Sequence, residues 1–250
     1  MKMKNMLIGG MSLALVACIS VGATLAYLTD QSNTVKNTFT VGKGYINNVL
    51  TLDETLKKDA KNPTEISSTD RTKGTVTQDY APVNIGDKIA KDPTFHVAAN
   101  SASSYVFAKV SGVDELISKE FKVSTADPET LTTVEQINGV QNGLNTEKWV
   151  KVANEDGKAI AGNVADDGKL NGYYRYKTVV STSKTVTNLE PLFQSVVLPA
   201  DVTTMPDLGE EGMSIDVAGA IIQSENLTPD SARDEVLKLE GFGPAASNEG

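Results

Sequence analysis

Short runs of β-branched and aromatic residues, separated by Gly, Asn, Asp and Pro, recur along most of the chain. Runs of this kind predict strands that end in turns. The clearest of them cover residues 37–41, 74–83, 94–98, 104–110, 148–152, 173–180, 193–198 and 213–222. Many short strands with few helices favour an all-β fold, a jelly-roll-like antiparallel β-sandwich, over a parallel α/β arrangement.

Two of these runs lack a strongly polar face. Along 214–222, isoleucine, valine and glycine at every second position alternate with alanines and a further isoleucine, which predicts a strand covered on both sides. Along 104–110, Tyr105 and Phe107 share one face, and valine and alanine occupy the other. The second pattern is typical of a central strand.

Helical signals are fewer. At 228–230 the sequence Thr-Pro-Asp places a capping hydroxyl, a proline at the first helical position and an acid near the positive end of the helix dipole. Gly241 is expected to stop this helix. The sequence Asp-Pro-Glu at 127–129 predicts a second short helix in the same way, and residues 51–60 predict a third.

The first 26 residues have the features of a secretory signal peptide and are expected to form a helix. Lys2 and Lys4 give a positive start, and a long uncharged, largely apolar stretch follows. A small-x-small pattern ends at Ala26, which predicts cleavage between Ala26 and Tyr27. The protein is therefore expected to be exported.

Two other fates of this segment stay open. Residues 6–28 are about long enough to span a hydrocarbon core of ~30 Å as an uncleaved anchor. Alternatively, the sequence Leu-Val-Ala-Cys ending at Cys18 fits a bacterial lipoprotein box, in which Cys18 carries the lipid. Contact with a membrane is in every case expected only through this N-terminal segment.

The rest of the chain is expected to form one β-sandwich domain over 27–242, with a polar loop at 57–73 and a flexible tail at 243–250. Cleavage after Ala26 would remove Cys18, the one cysteine in the chain. A mature protein without disulfides depends on its hydrophobic core for stability. The net charge of −9 argues against a nucleic-acid partner, which needs clustered Lys and Arg.

Residues for catalysis, for a metal or for a cofactor are not recognisable, so we expect neither an enzyme nor a bound cofactor. His96 is the one histidine, and it falls in a predicted strand, where a partly exposed position is expected. Acidic segments at 154–157 and 166–168 resemble pieces of calcium loops but lack the spacing that wraps a cation, and they predict hairpin turns. The Asn-Gly pair at 171–172 predicts a tight hairpin turn that feeds a strand.

Four aromatic residues cluster in two neighbouring runs and raise the alternative of a binding face. Trp149, Tyr173, Tyr174 and Tyr176 could line a surface for a sugar or a host protein. Aromatic side chains on strands also serve as core residues or as cross-strand pairs. The sequence leaves both interpretations open.

Several short motifs together resemble the TasA/camelysin family of exported bacterial proteins, whose signal peptides are processed by a SipW-type signal peptidase. The most specific is the Gly-Ala-Thr-Leu-Ala-Tyr-Leu-Thr-Asp segment at 22–30, followed by Asn-Thr-Phe-Thr-Val-Gly at 37–42. Shorter matches lie at 89–93, 104–110, 190–193 and 214–217. The polar loop at 57–73 looks like an insertion relative to that family.

The resemblance implies a secreted jelly-roll protein at the surface of a Gram-positive-type bacterium. Such proteins polymerise into fibres of the biofilm matrix or join a spore or cell coat. Their partners are copies of themselves and, during export, the signal peptidase. Some members are described as camelysin-type metallopeptidases, but this sequence offers no zinc-ligand set for that activity.

Self-assembly is expected to proceed by donation of the mature N-terminal strand to a neighbouring copy. Leu28, Val35, Phe39 and Val41 are the candidate anchors of that strand. The alternative is that this segment pairs within its own subunit as an ordinary first strand. A functional alternative is a monomeric cell-surface module that binds carbohydrate or a host protein.

Overall fold

The structure, a computed structural model, describes residues 29–31, 49–53, 60–61, 79–80, 83–160, 168–182, 184–208 and 213–244. Its strands are β1 (Thr29–Gln31), β2 (Leu50–Asp53), β3 (Ala60–Lys61), β4 (Asp79–Tyr80), β5 (Lys88–Ala90), β6 (Thr94–Val97), β7 (Ser104–Ser111), β8 (Lys122–Ser124), β9 (Trp149–Ala153), β10 (Gly172–Tyr176), β11 (Thr187–Asn188), β12 (Ser195–Val197) and β13 (Asp216–Gln223). Its helices are α1 (Val113–Ile117), α2 (Val134–Asn138) and α3 (Pro229–Val236). The described part is therefore mostly β with a few short helices, as the sequence predicts.

A five-stranded antiparallel sheet in the order β1-β13-β7-β10-β9 organises the fold. The two longest strands, β7 and β13, pair over eight registered positions from Ser111↔Asp216 to Ser104↔Gln223. Since β7 has a hydrogen-bonded neighbour on each side, the prediction of a central strand there is confirmed.

Three smaller antiparallel sheets accompany it, with the orders β11-β6-β2, β5-β12-β8 and β3-β4. The principal core brings one face of the five-stranded sheet together with β2, β6, β8 and β12. Its members from the large sheet include Val106, Ala108 and Ile221, and those from the smaller sheets include Phe95 and Val196. This two-layer packing of antiparallel strands is consistent with an all-β sandwich.

The opposite face of the five-stranded sheet is buried as well. Tyr105 and Phe107 on β7 and the alternate residues of β13 pack there against Ala232 and Val236 of α3 and against Phe242. The prediction that both faces of 214–222 are covered is thus confirmed. On this face of β13, Ala218 and Ala220 present small side chains to the helix.

Helix α3 begins where the sequence predicts, but it ends at Val236 with Leu237 as its cap, so Gly241 does not stop it. The Thr228 side chain accepts a hydrogen bond from the backbone N–H of Ser231, and the Ser231 hydroxyl accepts one from the N–H of Thr228, so the two form a capping box. Pro229 occupies the first helical turn, where its missing N–H costs no hydrogen bond. Gly241 adopts a φ of +80° in the turns that follow the helix.

The second predicted helix begins later than expected. Residues 127–130 form a turn in which the N–H of Thr130 donates to the carbonyl of Asp127 at 3.0 Å. Helix α2 starts only after Thr133, which forms a capping box with Gln136. The Asp-Pro-Glu sequence at 127–129 therefore forms a turn. The helix begins six residues after Asp127, where Thr133 caps it.

The third predicted helix, over 51–60, is wrong at both of its described ends, and its last residue, Ala60, begins strand β3. Leu50–Asp53 is strand β2, and its four residues pair with β6. All four are buried, so tertiary pairing overrides the local helical pattern. Residues 54–59 lie outside the described part.

Several sequence predictions fall on residues that the structure does not describe. These are the signal peptide at 1–26 with Cys18, the cleavage site Ala26/Tyr27, the predicted strand at 37–41, most of the predicted strand at 74–83, most of the loop 57–73, and the end of the tail at 245–250. Within that loop the prediction is wrong at Ala60–Lys61, which form strand β3 by pairing with β4. Among the helices of the described part, none has the length and apolar character needed to cross a membrane.

Candidate functional site

The outer edge of β13 is closed by the start of the predicted mature chain. Strand β1 pairs with it in the register Thr29↔Ile222, Asp30↔Ile221 and Gln31↔Ala220. Within this chain, the segment just after the predicted cleavage site therefore forms an ordinary first strand at a sheet edge. The candidate anchors Leu28, Val35, Phe39 and Val41 lie outside the described residues.

The residues of β13 that face β1 belong to both cores. Ala220 and Ile222 are buried in the core under α3, and Ile221 is buried in the principal core. A strand added at this edge consequently lies beside two apolar layers, one above and one below the sheet. Such an edge binds an extended segment through its backbone and through side chains on both faces.

The other edge of the same sheet, β9, is covered at its C-terminal end by its own chain. The N–H of Ile160 donates to the carbonyl of Val152 at 2.9 Å, the N–H of Asn154 donates to the carbonyl of Lys158 at 3.0 Å, and Ala153 and Ala159 form a bridge. The register between β9 and β10 also shifts between Tyr173 and Tyr174, which marks a bulge. Bulges and folded-back segments protect an edge from pairing with other chains.

The four aromatic residues of the alternative binding face do not form an exposed surface. Trp149 and Tyr173 are each 1% exposed and Tyr174 is 4% exposed. Tyr176 is partly buried against Trp149, with ring centroids 5.0 Å apart in an edge-to-face arrangement. Tyr173 lies on the opposite face of the sheet from the other three. Because a sugar stacks on an exposed ring face, the structure favours their interpretation as core aromatics.

Two of these tyrosines differ in how their hydroxyl groups are satisfied. The Tyr174 hydroxyl donates to the carbonyl of Leu170 at 2.6 Å. The buried Tyr173 hydroxyl has no hydrogen-bond partner among the described residues. Its burial, together with the nearby carboxylates of Glu155 and Asp156, raises the pKa of Tyr173 above its ordinary value.

We expect Tyr173→Phe to leave the free energy of unfolding unchanged or to raise it by up to about 1 kcal/mol, because it removes an unsatisfied buried hydroxyl. Tyr174→Phe, the matched control, removes a satisfied one and should cost about 1 kcal/mol. Urea unfolding measures both. If Tyr173→Phe and Tyr174→Phe lowered the free energy of unfolding equally, the Tyr173 hydroxyl would not be the unsatisfied one.

The raised pKa of Tyr173 also predicts a pH dependence of stability. As the pH rises, the unfolded chain loses the Tyr173 proton before the native protein does, so the free energy of unfolding should fall above about pH 10. The fall should be smaller in Tyr173→Phe, which has no proton to lose at this position.

His96 is buried rather than partly exposed, which corrects the sequence prediction. It is 4% exposed, and its two ring nitrogens lie 2.9 Å from Asp53 Oδ1 and 2.8 Å from Asn188 Oδ1. The three residues come from β2, β6 and β11, so the imidazole joins all three strands of its sheet through side chains. Within the described ranges, no group of three or more His, Cys, Asp or Glu side chains is placed to hold a metal ion.

The acidic segment at 154–157 forms the predicted turn. The N–H of Gly157 donates to the carbonyl of Asn154 at 2.9 Å, and the N–H of Lys158 donates to Asn154 Oδ1 at 2.8 Å. In the segment at 166–168, only Gly168 is described. The Asn154 side chain therefore closes a hairpin, as expected of a turn residue.

The Asn-Gly pair at 171–172 is not the tight hairpin turn that the sequence predicts. Strands β9 and β10 are joined by the whole segment 154–171, and Gly172 already belongs to β10. Asn171 is buried, and its Oδ1 accepts hydrogen bonds from the backbone N–H groups of Val113 and Asp114. No local signal could show this, because the partners lie in helix α1, far away in sequence.

No family model, no curated protein and no solved structure matches this chain.

Proposed function

We propose that the protein is a secreted structural protein of the extracellular matrix or of the cell or spore surface, and that it assembles into fibres by strand exchange through its mature N-terminus. The proposal is carried by the pairing of β1 with β13. This pairing places β1, which would follow the cleavage site after export, at the edge of β13, beside both hydrophobic cores.

Exchange of this strand between copies costs little. A neighbouring copy offers the same backbone groups as the chain's own β1, so the hydrogen bonds lost are the ones regained. The pairing of β1 covers three registered positions, whereas β7 and β13 share eight. Opening β1 therefore leaves most of the sheet intact, and head-to-tail donation is open-ended, which gives filaments rather than closed dimers.

The difference between the two sheet edges supports growth in one line. The β13 edge is closed by a short strand, while the β9 edge is covered by residues 158–160 of the same chain. A copy that accepts a strand at β13 thus has no equivalent site at β9. Coupling of cleavage to export would delay donation until the protein is outside the cell.

The finer features of the proposal follow the family resemblance. The two-layer antiparallel packing suits a jelly roll, and the role we propose is not enzymatic and involves no cofactor. The burial of Trp149, Tyr173 and Tyr174 removes the observation that favoured a carbohydrate-binding module. The matrix role is therefore the one we carry forward.

A cysteine pair across the exchanged strand tests the mechanism. Gln31→Cys with Ala220→Cys places two thiols at directly opposed positions of β1 and β13. The mature chain expected after cleavage has no other cysteine. We expect oxidised fibres to give a ladder of covalent oligomers on a non-reducing gel, whereas oxidised monomer gives an internal bridge.

The control replaces Ala220→Cys by Lys151→Cys on the covered β9 edge and should give no ladder. Deletion of residues 27–36 should abolish fibres in electron micrographs. Exclusively internal bridges in oxidised fibres, or normal fibres from the deletion variant, would refute strand exchange. Absence of any fibre under all conditions, with a monomer that folds, would refute the structural role itself.

A further inference from the structure

Three Asn-Gly dipeptides occur in the chain, at 138–139, 142–143 and 171–172. In an unfolded chain this dipeptide loses ammonia more readily than other Asn-X pairs, because glycine has no side chain to shield its amide nitrogen. The structure uses the asparagine of each pair as a tertiary anchor. Asn138 Oδ1 accepts the N–H of Ala200 at 2.7 Å, and Asn142 Oδ1 accepts that of Val123 at 3.0 Å.

Asn171 is held more completely than the other two. It is 2% exposed, and its Oδ1 lies 3.0 Å and 3.2 Å from the backbone nitrogens of Val113 and Asp114. Its Nδ2 donates to Glu115 Oε2 at 3.0 Å and lies 3.4 Å from Glu155 Oε2. The side-chain amide is thus fixed at both ends.

Residues 170–171, at the end of the loop before β10, and helix α1 each accept hydrogen bonds from the other's backbone. The carboxylate of Asp114 accepts the backbone N–H groups of Leu170 and Asn171 at 2.8 Å and 2.9 Å. Asn171 therefore satisfies amides at the start of α1, while the helix satisfies amides of the loop. We call this set, Asp114 with Glu115, Glu155 and Asn171, the loop–helix junction.

Glycine is required next to Asn171 for a separate reason. Gly172 adopts a φ of +140°, and a Cβ at this position would lie 2.6 Å from the carbonyl oxygen of Ala153. A larger residue would collide with the backbone of β9. The native fold therefore requires the amide of Asn171 and the bare backbone of Gly172, which together make a chemically labile dipeptide.

We propose that Asn171 is a deamidation site that the native fold protects and unfolding exposes, and that a chain modified there cannot rebuild the loop–helix junction. In the reaction the backbone nitrogen of Gly172 gives up its proton and attacks Asn171 Cγ. The new N–C bond closes a succinimide ring as the Cγ–Nδ2 bond breaks, and ammonia leaves with that proton. Water then opens the ring to aspartate or isoaspartate, with no change of oxidation state.

The product fits the junction badly. An aspartate at 171 has no N–H to donate, and it faces the carboxylates of Glu115 and Glu155 where the amide bound them. Position 171 is buried, so a carboxylate formed there would lose its hydration and lie next to the like charges of the more exposed Glu115 and Glu155. At Asn142 the hydrogen bond from the Val123 N–H needs only an oxygen acceptor, which an aspartate also supplies. Damage should therefore be specific to position 171.

The first experiment follows deamidation of the unmodified protein by peptide mass spectrometry at mildly alkaline pH, with and without urea. In urea, Asn142 and Asn171 should react at similar rates, because their local chemistry is alike. In native buffer Asn171 should be slower than the exposed Asn142 by about tenfold or more, since it must await local opening. Equal rates at the two positions in native buffer would overturn the proposal.

The second experiment asks whether the modified chain refolds. Urea-incubated protein is refolded and separated by size, and the deamidated forms of 171 should be depleted from the monomer while those of 142 are retained. Asn171→Asp and Asn142→Asp are the matched variants. We expect a lowered unfolding midpoint, or failure to fold, for the first only. Refolding of Asn171→Asp with the native midpoint would overturn the proposal.

Discussion

Replacing Gly219 by valine is expected to lower the free energy of unfolding more than a typical single substitution. A Cβ at this position would overlap the ring of Phe95 and come within 3.0 Å of Leu50 Cδ2. The Phe95 ring cannot swing away, because it is fully buried with its centroid 5.7 Å from that of Trp149. Overpacking by a few methyl groups costs about 1–3 kcal/mol or more, and we expect about 3 kcal/mol or more here. Circular dichroism and urea unfolding measure the loss.

Two further variants separate steric overlap from a general effect on the strand. Gly219→Ala adds one methyl group and should cost less than valine. Combining Gly219→Ala with Phe95→Leu removes ring atoms at the point of overlap and should recover part of the loss relative to the sum of the two single changes. A Gly219→Val protein with the native unfolding midpoint would show that the two layers are not packed as described.

Replacing His96 by alanine is expected to lower the free energy of unfolding by about 3–5 kcal/mol. The change empties a buried site and removes the imidazole from Asp53 and Asn188, which lie 2.9 Å and 2.8 Å from its nitrogens. Asp53 is itself buried, so loss of this partner weighs more than it would at the surface. Thermal and urea unfolding should both show the effect.

The neighbours of His96 supply the controls for this change. Asn188→Ala removes a single bond from the more exposed side and should cost about 1 kcal/mol. Adding Asp53→Asn to His96→Ala replaces the buried carboxyl group by an amide and should restore part of the stability. If His96→Ala unfolds within about 0.5 kcal/mol of the unmodified protein, the side chain does not join these strands.

The sequence predicts those features that are written into a continuous local pattern. Along 214–222 the mostly apolar pattern reflects burial on both sides: Ile215, Val217 and Ile221 belong to the principal core, and Ala218, Ala220 and Ile222 belong to the core under α3. Thr228 and Pro229 likewise predict the start of α3, because the cap and the backbone N–H that it binds lie within one helical turn. These predictions are confirmed because their physical causes are local.

Three of the incorrect predictions involve partners that are remote in sequence. Asn171 resembles a turn residue until Val113 and Asp114 are seen to donate to it, and His96 resembles an ordinary strand residue until Asp53 is placed beside it. Pairing of β2 with β6 likewise decides the conformation of Leu50–Asp53. The sequence predicts that the mature N-terminus forms a strand. That this strand pairs with β13, and in which register, is seen only in the structure. Donation of that strand to another copy stays a prediction.

Strand β13 belongs to two hydrophobic cores at once. Val217 and Ile221 pack on one side, and Ala220 and Ile222 pack on the other. Unfolding of either core therefore disturbs the backbone of β13, on which the other core also packs. The consequence is cooperativity: the C-terminal helix and the sandwich should unfold together as one thermodynamic unit, although they lie on opposite sides of the sheet.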